Sequence, residues 1–346
     1  MIEFDNVVSR PAYYLEEPNQ LRTEFRGQGS RLLGVEGQFD EATFHRLFRG
    51  MQPELVGGKE AKLVQRIGAS RRGAFDITLN MPKTSSIMKE LAGDTRISDV
   101  MDRAQAVVEG MLEKQVRVRV RKQAEIDKSK AKQPKGWKYP ERHTGNLVFI
   151  AFAHPASRNG DPHAHRHLVV PNITYDRHER MWKAVEFRHL DRKGIAEAYR
   201  AELMNGLNQL GYKTKRVGKE FEIVGVPAEV KAEFSRRHTQ IKELEREYDD
   251  KAAAAGNRAM SSKERGKLSL YHRPEKASGV SPAARRDWWL SRITPPQLDG
   301  LRSLVRKAKS AVRDARFKQG VRQHLQAIQK ASVIHAEPER NRGNER

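Results

Sequence analysis

The chain has 346 residues, 37% of them hydrophobic and 32% charged, and 66 Lys and Arg against 44 Asp and Glu leave a net charge of +22. That length suits two ordinary domains or one large one with appendages, and a surplus of this sign favours a polyanionic partner, nucleic acid first. The absence of cysteine excludes disulfides, zinc ribbons and thiol catalysis. No apolar run is long enough to span a bilayer, and the opening MIEFDNVVSR lacks the basic-then-apolar order of a signal peptide, so the expectation is a cytoplasmic protein with no membrane insertion.

In chain order, the first residues read as a short strand or coil, followed by RPAYYLEEPNQ, where Pro18 discourages a long helix. Asp40 is the expected N-cap of a short helix with Phe44, Leu47 and Phe48 on one face. AFDITLN, 74–80, alternates as a half-buried strand, and VRVRV, 116–120, as a strand with one apolar and one basic face. Between them, Val100, Ala104, Val107, Val108 and Met111 recur at helical spacing. The lysine-rich stretch 121–145 reads as a long loop or hairpin tip. NLVFIAFAH, 146–154, and HRHLVVPNITYD, 165–176, read as two strands joined by a reversal in PASRNGDP. A helix is expected over 194–212 and a strand over 220–226, and from about Glu229 the chain reads as charged helix with a break near 273–282.

Histidine crowds the second of the two central strands. His163, His165 and His167 are two apart and so share one strand face, and an antiparallel hairpin brings His154 beside them. They either line a polar edge or gather as ligands of a divalent metal. Asp76, a charge inside an apolar strand, is either a strand-end or edge residue or the candidate to hold one imidazole's tautomer. Tyr13 and Tyr14 are adjacent: one packs while the other faces out, or one attacks phosphorus. A phenol, whose free pKa is near 10, would need a polarised phosphate or a local base for that.

These blocks, in this order, resemble the conjugative relaxases of the HUH endonuclease superfamily, of the kind at the N-terminus of F-plasmid-type relaxase-helicases. AYYLEE looks like the N-terminal tyrosine motif, RRGAFDITLNMPKTSS is similar to the block carrying the active-site aspartate, at Asp76, and TGNLVFIAFAHPASRNGDPHAHRHLVVPNIT is similar to the histidine block. QLGYKTKRVGKEFEIVGVP and FSRRHTQI continue the likeness to about residue 245. The resemblance implies an α+β fold: a central antiparallel sheet of about five strands flanked by helices, with a C-terminal helical lobe. The domains would be a relaxase core over 1–250, a basic helical lobe or extension over 251–335 and a disordered tail over 336–346. It maps the metal ligands to His154, His165 and His167, with His163 an extra histidine on the same face. The metal would be Mg²⁺ or Mn²⁺ in the cell, with Zn²⁺ or Ni²⁺ in a preparation.

The activity implied is strand-specific nicking and rejoining of DNA at a transfer origin, with Tyr13 attacking to give a 5′-phosphotyrosine and Asp76 orienting a histidine or taking the phenolic proton. Arg71, Arg72 and Lys83 flank the Asp76 strand as phosphate partners, and Trp137 and Tyr139 either stack on bases or pack the lysine-rich loop onto the body. Partners would be single-stranded origin DNA, an adjacent hairpin, relaxosome accessory proteins and a type IV secretion coupling protein. Three departures stand out: Arg166 lies between two ligands where an uncharged residue is usual, Pro155 follows His154 in place of an aspartate, and 19–21 hold no second tyrosine pair. No G-x-x-x-x-G-K-[ST] loop occurs, so no helicase motor lies in these residues. The alternatives are a rolling-circle replication initiator, against which the tyrosines' place ahead of the histidines counts, a non-catalytic basic DNA-binding protein, and a nuclease using water.

Overall fold

The alternation in AFDITLN predicts one covered face, yet in the computed structural model six of the seven residues of this strand are buried. The strand is central, and both its faces are covered. The structure describes residues 2–7, 14, 24–65, 72–120, 141–261, 264–265 and 280–334. In order, the elements are β1 (Ile2–Val7), β2 (Glu24–Arg26), α1 (Gln28–Leu33), β3 (Gly37–Gln38), α2 (Glu41–Arg49) and β4 (Ala74–Asn80). Next come α3 (Lys83–Glu90), α4 (Arg96–Gln115), β5 (Arg117–Arg119), β6 (Glu141–His143), β7 (Phe149–Ala156) and β8 (Pro162–Pro171). The remainder are β9 (Thr174–Asp176), β10 (Met181–Lys183), α5 (Arg192–Gln209), β11 (Thr214–Val217), β12 (Glu220–Ile223), α6 (Ala228–Glu233), α7 (Arg236–Ala254), α8 (Pro282–Leu290) and α9 (Pro295–Ile334).

Six strands form one antiparallel sheet in the order β1-β4-β8-β7-β2-β3. This agrees with the expected antiparallel sheet of about five strands, of which β2 and β3 are short, with three and two residues. The expected loop over 121–145 closes at its end, where β6 pairs with β5; residues 121–140, Trp137 and Tyr139 among them, lie outside the described residues. The single strand expected over 165–176 is divided after Pro171. There Asn172 leaves the ladder, its amide donating to the Arg72 carbonyl at 3.0 Å and its side-chain oxygen accepting from Val185 N at 2.8 Å.

Residues paired across an antiparallel ladder share a face, which sorts the core into two layers. Ile77, Leu79, Leu168, Val170, Phe149 and Ala151 pack against Val100, Ala104, Val108 and Leu112 of α4 and Ile195, Tyr199 and Leu203 of α5. The two helices meet closely at Gly206, where a Cβ would lie 2.6 Å from Val100 Cγ1. Trp289 of α8 and Leu301 and Val305 of α9 belong to the same layer. On the other face, Ile150, Phe152 and Val169 meet Phe44, Leu47 and Phe48 of α2 together with Tyr14. Asp40 caps α2 as expected, its carboxylate accepting from Thr43 N at 2.6 Å, a contact worth about 1 kcal/mol. That second layer covers Val169 but stops short of the first half of β8, where the histidines fill the remaining sheet face.

Candidate metal centre and nucleophile

The register of the β7–β8 hairpin brings the histidines together. His154 is paired with His165, and Phe152 with His167; on the other side of β8, Thr78 faces His167 and Asn80 faces His165. The ladder shifts register between His154 and Ala156, and the turn is closed by Ser157 N to Asp161 O at 2.8 Å and Gly160 N to Ser157 O at 2.9 Å. Ring centroids stand 5.1 Å apart for His154–His165, 5.2 Å for His154–His167 and 5.4 Å for His165–His167.

The hydrogen bonds set the tautomers. His165 Nδ1–H donates to the His163 carbonyl at 2.8 Å, and His167 Nδ1–H donates to Asp76 Oδ2 at 2.8 Å. In both rings the lone pair is therefore on Nε2, the pattern of a metal ligand whose other nitrogen is held by an acceptor. Burial, reinforced by the neighbouring His163, His154 and His167, holds the His165 pKa well below the ordinary imidazole value, so this ring is neutral at physiological pH. A donor set of neutral imidazoles fits a divalent cation. Among the described residues no three His, Asp or Glu side chains converge on one point; His154 and His165 stack with their planes 18° apart. Gripping one ion would turn these two rings out of that stack, for His165 against its bond to the His163 carbonyl.

Asp76 joins this cluster to a phenol. It is 6% exposed, and its Oδ2 accepts from His167 and also from the Tyr14 hydroxyl at 2.9 Å. The Tyr14 ring, itself buried, stacks on Phe152 at 5.3 Å and stands edge-on to His167 at 5.7 Å. Asp76 Oδ1 is buried with no hydrogen-bond partner among the described residues, an exception to the rule that buried polar groups are bonded, for which a catalytic role is one explanation.

The other expected site residues are spread more widely. Tyr13 and Arg71 lie outside the described residues. Arg72 is exposed and its guanidinium lies 5.0 Å over the Phe75 ring, which belongs to the α4–α5 side of the sheet rather than the histidine side. Lys83 donates to the Pro162 carbonyl at 2.8 Å, at the start of β8. Burial draws its pKa down to about 8, with Asp161 opposing and Arg292 adding to the shift. His163 stands beside His165 at 5.1 Å, but its Nε2 is bonded to Asn80 Oδ1 at 3.0 Å, and burial, aided by the Lys83 charge, lowers its pKa to about 3. Asn80 was missed in the sequence, although Asp76, Thr78 and Asn80 are each two apart, a polar stripe legible in AFDITLN. The hairpin turn is held from the C-terminal side: Trp289 Nε1 donates to Gly160 O at 2.6 Å, and Arg292 and Arg236 reach Asp161 Oδ1 at 2.9 and 3.2 Å.

An antiparallel sheet that gathers imidazoles beside a carboxylate-bound tyrosine fits the conjugative relaxase class that the sequence motifs resemble. The chain belongs to the TrwC relaxase family, whose model matches residues 4–295. It is similar to the multifunctional conjugation protein TraI of Escherichia coli, with 29% identity over 305 residues, 83% of this chain and 16% of that protein. The chain thus spans about a sixth of the length of that curated relative. Its likeness to solved structures includes the conjugative relaxase TrwC with OriT DNA in a metal-bound form, at 25% identity and TM-score 0.68 over 87% of this chain and 98% of that one. A metal-free TrwC–OriT complex matches at 25% identity and TM-score 0.67 over 84% and 97%. Among the described residues no helix is long and apolar enough to cross a membrane.

Proposed function

We propose that this chain nicks and rejoins one strand of DNA at a conjugative transfer origin by transesterification through a tyrosine. The observation that carries the reading is the shared acceptor: Asp76 Oδ2 bonds both the Tyr14 phenol and His167 within the histidine cluster. His154, His165 and His167 would hold a divalent metal, Mg²⁺ or Mn²⁺ in the cell. When bound, such an ion neutralises charge on the non-bridging oxygens of the scissile phosphate, an effect of several kcal/mol. The solved TrwC complexes with OriT DNA, one of them metal-bound, support both the ion and the partner.

The chain's own residues then do the following. Asp76 fixes the His167 tautomer and accepts the phenolic proton. The phenolate oxygen forms a bond to phosphorus, the P–O3′ bond breaks, and the departing 3′-oxygen takes up a proton. The 5′ end is left as a phosphotyrosine. One phosphodiester replaces another, so the step reverses without ATP. The +22 charge supplies contacts to the single strand and to an adjacent hairpin, and accessory and secretion-coupling proteins would assemble around that complex.

The likeness of AYYLEE to the N-terminal tyrosine motif favours attack by Tyr13, leaving Tyr14, bonded to Asp76, to brace that carboxylate. The hydrogen bond at 2.9 Å favours a second reading, in which Tyr14 attacks. A labelled single-stranded origin oligonucleotide, incubated with Mn²⁺ and run on a denaturing gel, tests the function. A protein–DNA adduct lost in Tyr13→Phe and retained in Tyr14→Phe supports the first reading, and the reverse supports the second. Cleavage with no adduct in any variant refutes both in favour of attack by water.

A further inference from the structure

We propose that Arg166 is a positioning residue for the imidazoles on either side of it, acting through the strand that carries them; the inference rests on the metal reading above. Arg166 lies between His165 and His167 on β8, so its side chain leaves the sheet by the opposite face. There its guanidinium spans two residues of α4. Nη2 is paired with Asp102 Oδ1 at 2.5 Å, and Nη1 donates to Gln105 Oε1 at 2.7 Å. Gln105 Nε2 donates in turn to Glu109 Oε1 at 2.7 Å, and Glu109 accepts from Arg26 Nε of β2 at 2.9 Å. This relay ties β8 to the helix beneath it and, through that helix, to a second strand of the same sheet.

The placement is unlike that of a solvated surface charge. The Arg166 side chain is 12% exposed and Gln105 2%, and Ala164, Leu168 and Val170, on the same face of β8, are apolar core. A buried ion pair adds little net stability over an apolar pair of the same volume. Its contribution is direction, because a planar guanidinium bonded at two nitrogens admits one geometry. Two restraints on the ligand rings act away from α4: Asp76 on His167, and the strand's own carbonyl on His165. Neither of them fixes the height of β8 over α4. His154 stands on the neighbouring strand, where the ladder shifts register just beyond it, so a small slide of β8 alters the distance of both His165 and His167 from His154. The Arg166 fork opposes that slide.

Calorimetric titration of the full chain with Mn²⁺, together with electron paramagnetic resonance of the Cu²⁺-loaded protein, tests this on wild type, Arg166→Met, Arg166→Lys and Asp102→Asn. Arg96→Met serves as the control: Arg96 is paired with Asp94 at 2.6 Å at the start of α4 and bonds no residue of β8. Thermal melts report the fold throughout. The expected result is Mn²⁺ binding weakened about 10-fold in Arg166→Met, the lower end of the loss when a supporting contact is removed from a metal site, with an altered Cu²⁺ spectrum. Asp102→Asn shows a smaller loss, Arg166→Lys recovers part of it, and Arg96→Met melts earlier but binds like wild type. Should Arg166→Met not fold, Asp102→Asn, at a side chain 34% exposed, carries the comparison. Unchanged affinity and spectrum in the Arg166 and Asp102 variants, or an equal loss in Arg96→Met, overturns the proposal. Wild type that binds no Mn²⁺, or binds it equally after His165→Ala, overturns the metal reading beneath it instead.

Discussion

Replacing Asp76 with asparagine keeps the volume of the buried side chain and removes its charge. In the native site one oxygen, Oδ2, accepts from Tyr14 at 2.9 Å and from His167 at 2.8 Å. An amide oxygen there accepts both more weakly, and an amide nitrogen there faces two donors. Hydrogen bonds to a charged group contribute about 1.5–3 kcal/mol each, so two lost together amount to roughly 3–6 kcal/mol, or about 10²- to 10⁴-fold at 1.4 kcal/mol per decade. The loss divides between two readouts. The rate of protein–DNA adduct formation at saturating Mn²⁺ reports loss of the proton acceptor, and Mn²⁺ affinity, expected to fall about 10- to 100-fold, reports loss of the His167 orienter. A rate and an affinity both within two-fold of wild type in Asp76→Asn would refute the assignment of Asp76 to either role.

Three further outcomes follow from the same structure. Lys83 titrates near 8 when folded, below the ordinary lysine value it has when unfolded; between the two the unfolded chain binds more protons, so stability rises with pH across that window. Urea unfolding at pH 7.5 and 9.5 should show this rise in wild type and lose it in Lys83→Met. Trp289→Ala, which empties a fully packed position and removes the bond to Gly160 O, should destabilise the whole chain by about 3–5 kcal/mol in the same assay. Affinity for a single-stranded origin oligonucleotide should fall with salt at a log–log slope of about 0.7 per phosphate neutralised, read by fluorescence anisotropy from low to high salt.

The features legible in the sequence are those set by local rules. Asp40 as a cap, the α4 stripe and the pairing of His154 with the H-x-H segment follow from spacing alone, because helix and strand periods decide them. What was not legible depends on what lies across the sheet. AFDITLN reads as half-buried because the alternation leaves its second face without a visible partner, whereas Asp76, Thr78 and Asn80 are turned toward the histidines, and Asp76 also toward Tyr14. Arg166 reads only as an anomaly between two ligands until Asp102 and Gln105, far away in the chain, supply its partners. The strand over 165–176 divides because the Asn172 side chain finds a backbone acceptor in Arg72 and a backbone donor in Val185 that no local pattern announces. The tyrosine motif was legible as a motif, but which phenol serves the phosphate is a matter of reach.

The central claim is that the imidazole cluster and an N-terminal phenol act on the same phosphate. A transfer-origin oligonucleotide with sulfur in place of one non-bridging oxygen at the scissile position addresses it directly, since the softer Mn²⁺ or Cd²⁺ tolerates sulfur better than Mg²⁺ does. The account predicts that covalent adduct formation with one sulfur isomer is slow in Mg²⁺ and recovers in Mn²⁺ or Cd²⁺, and that the recovery is lost in His154→Ala, His165→Ala or His167→Ala. Adduct formation indifferent to both the sulfur and the three histidines would contradict it.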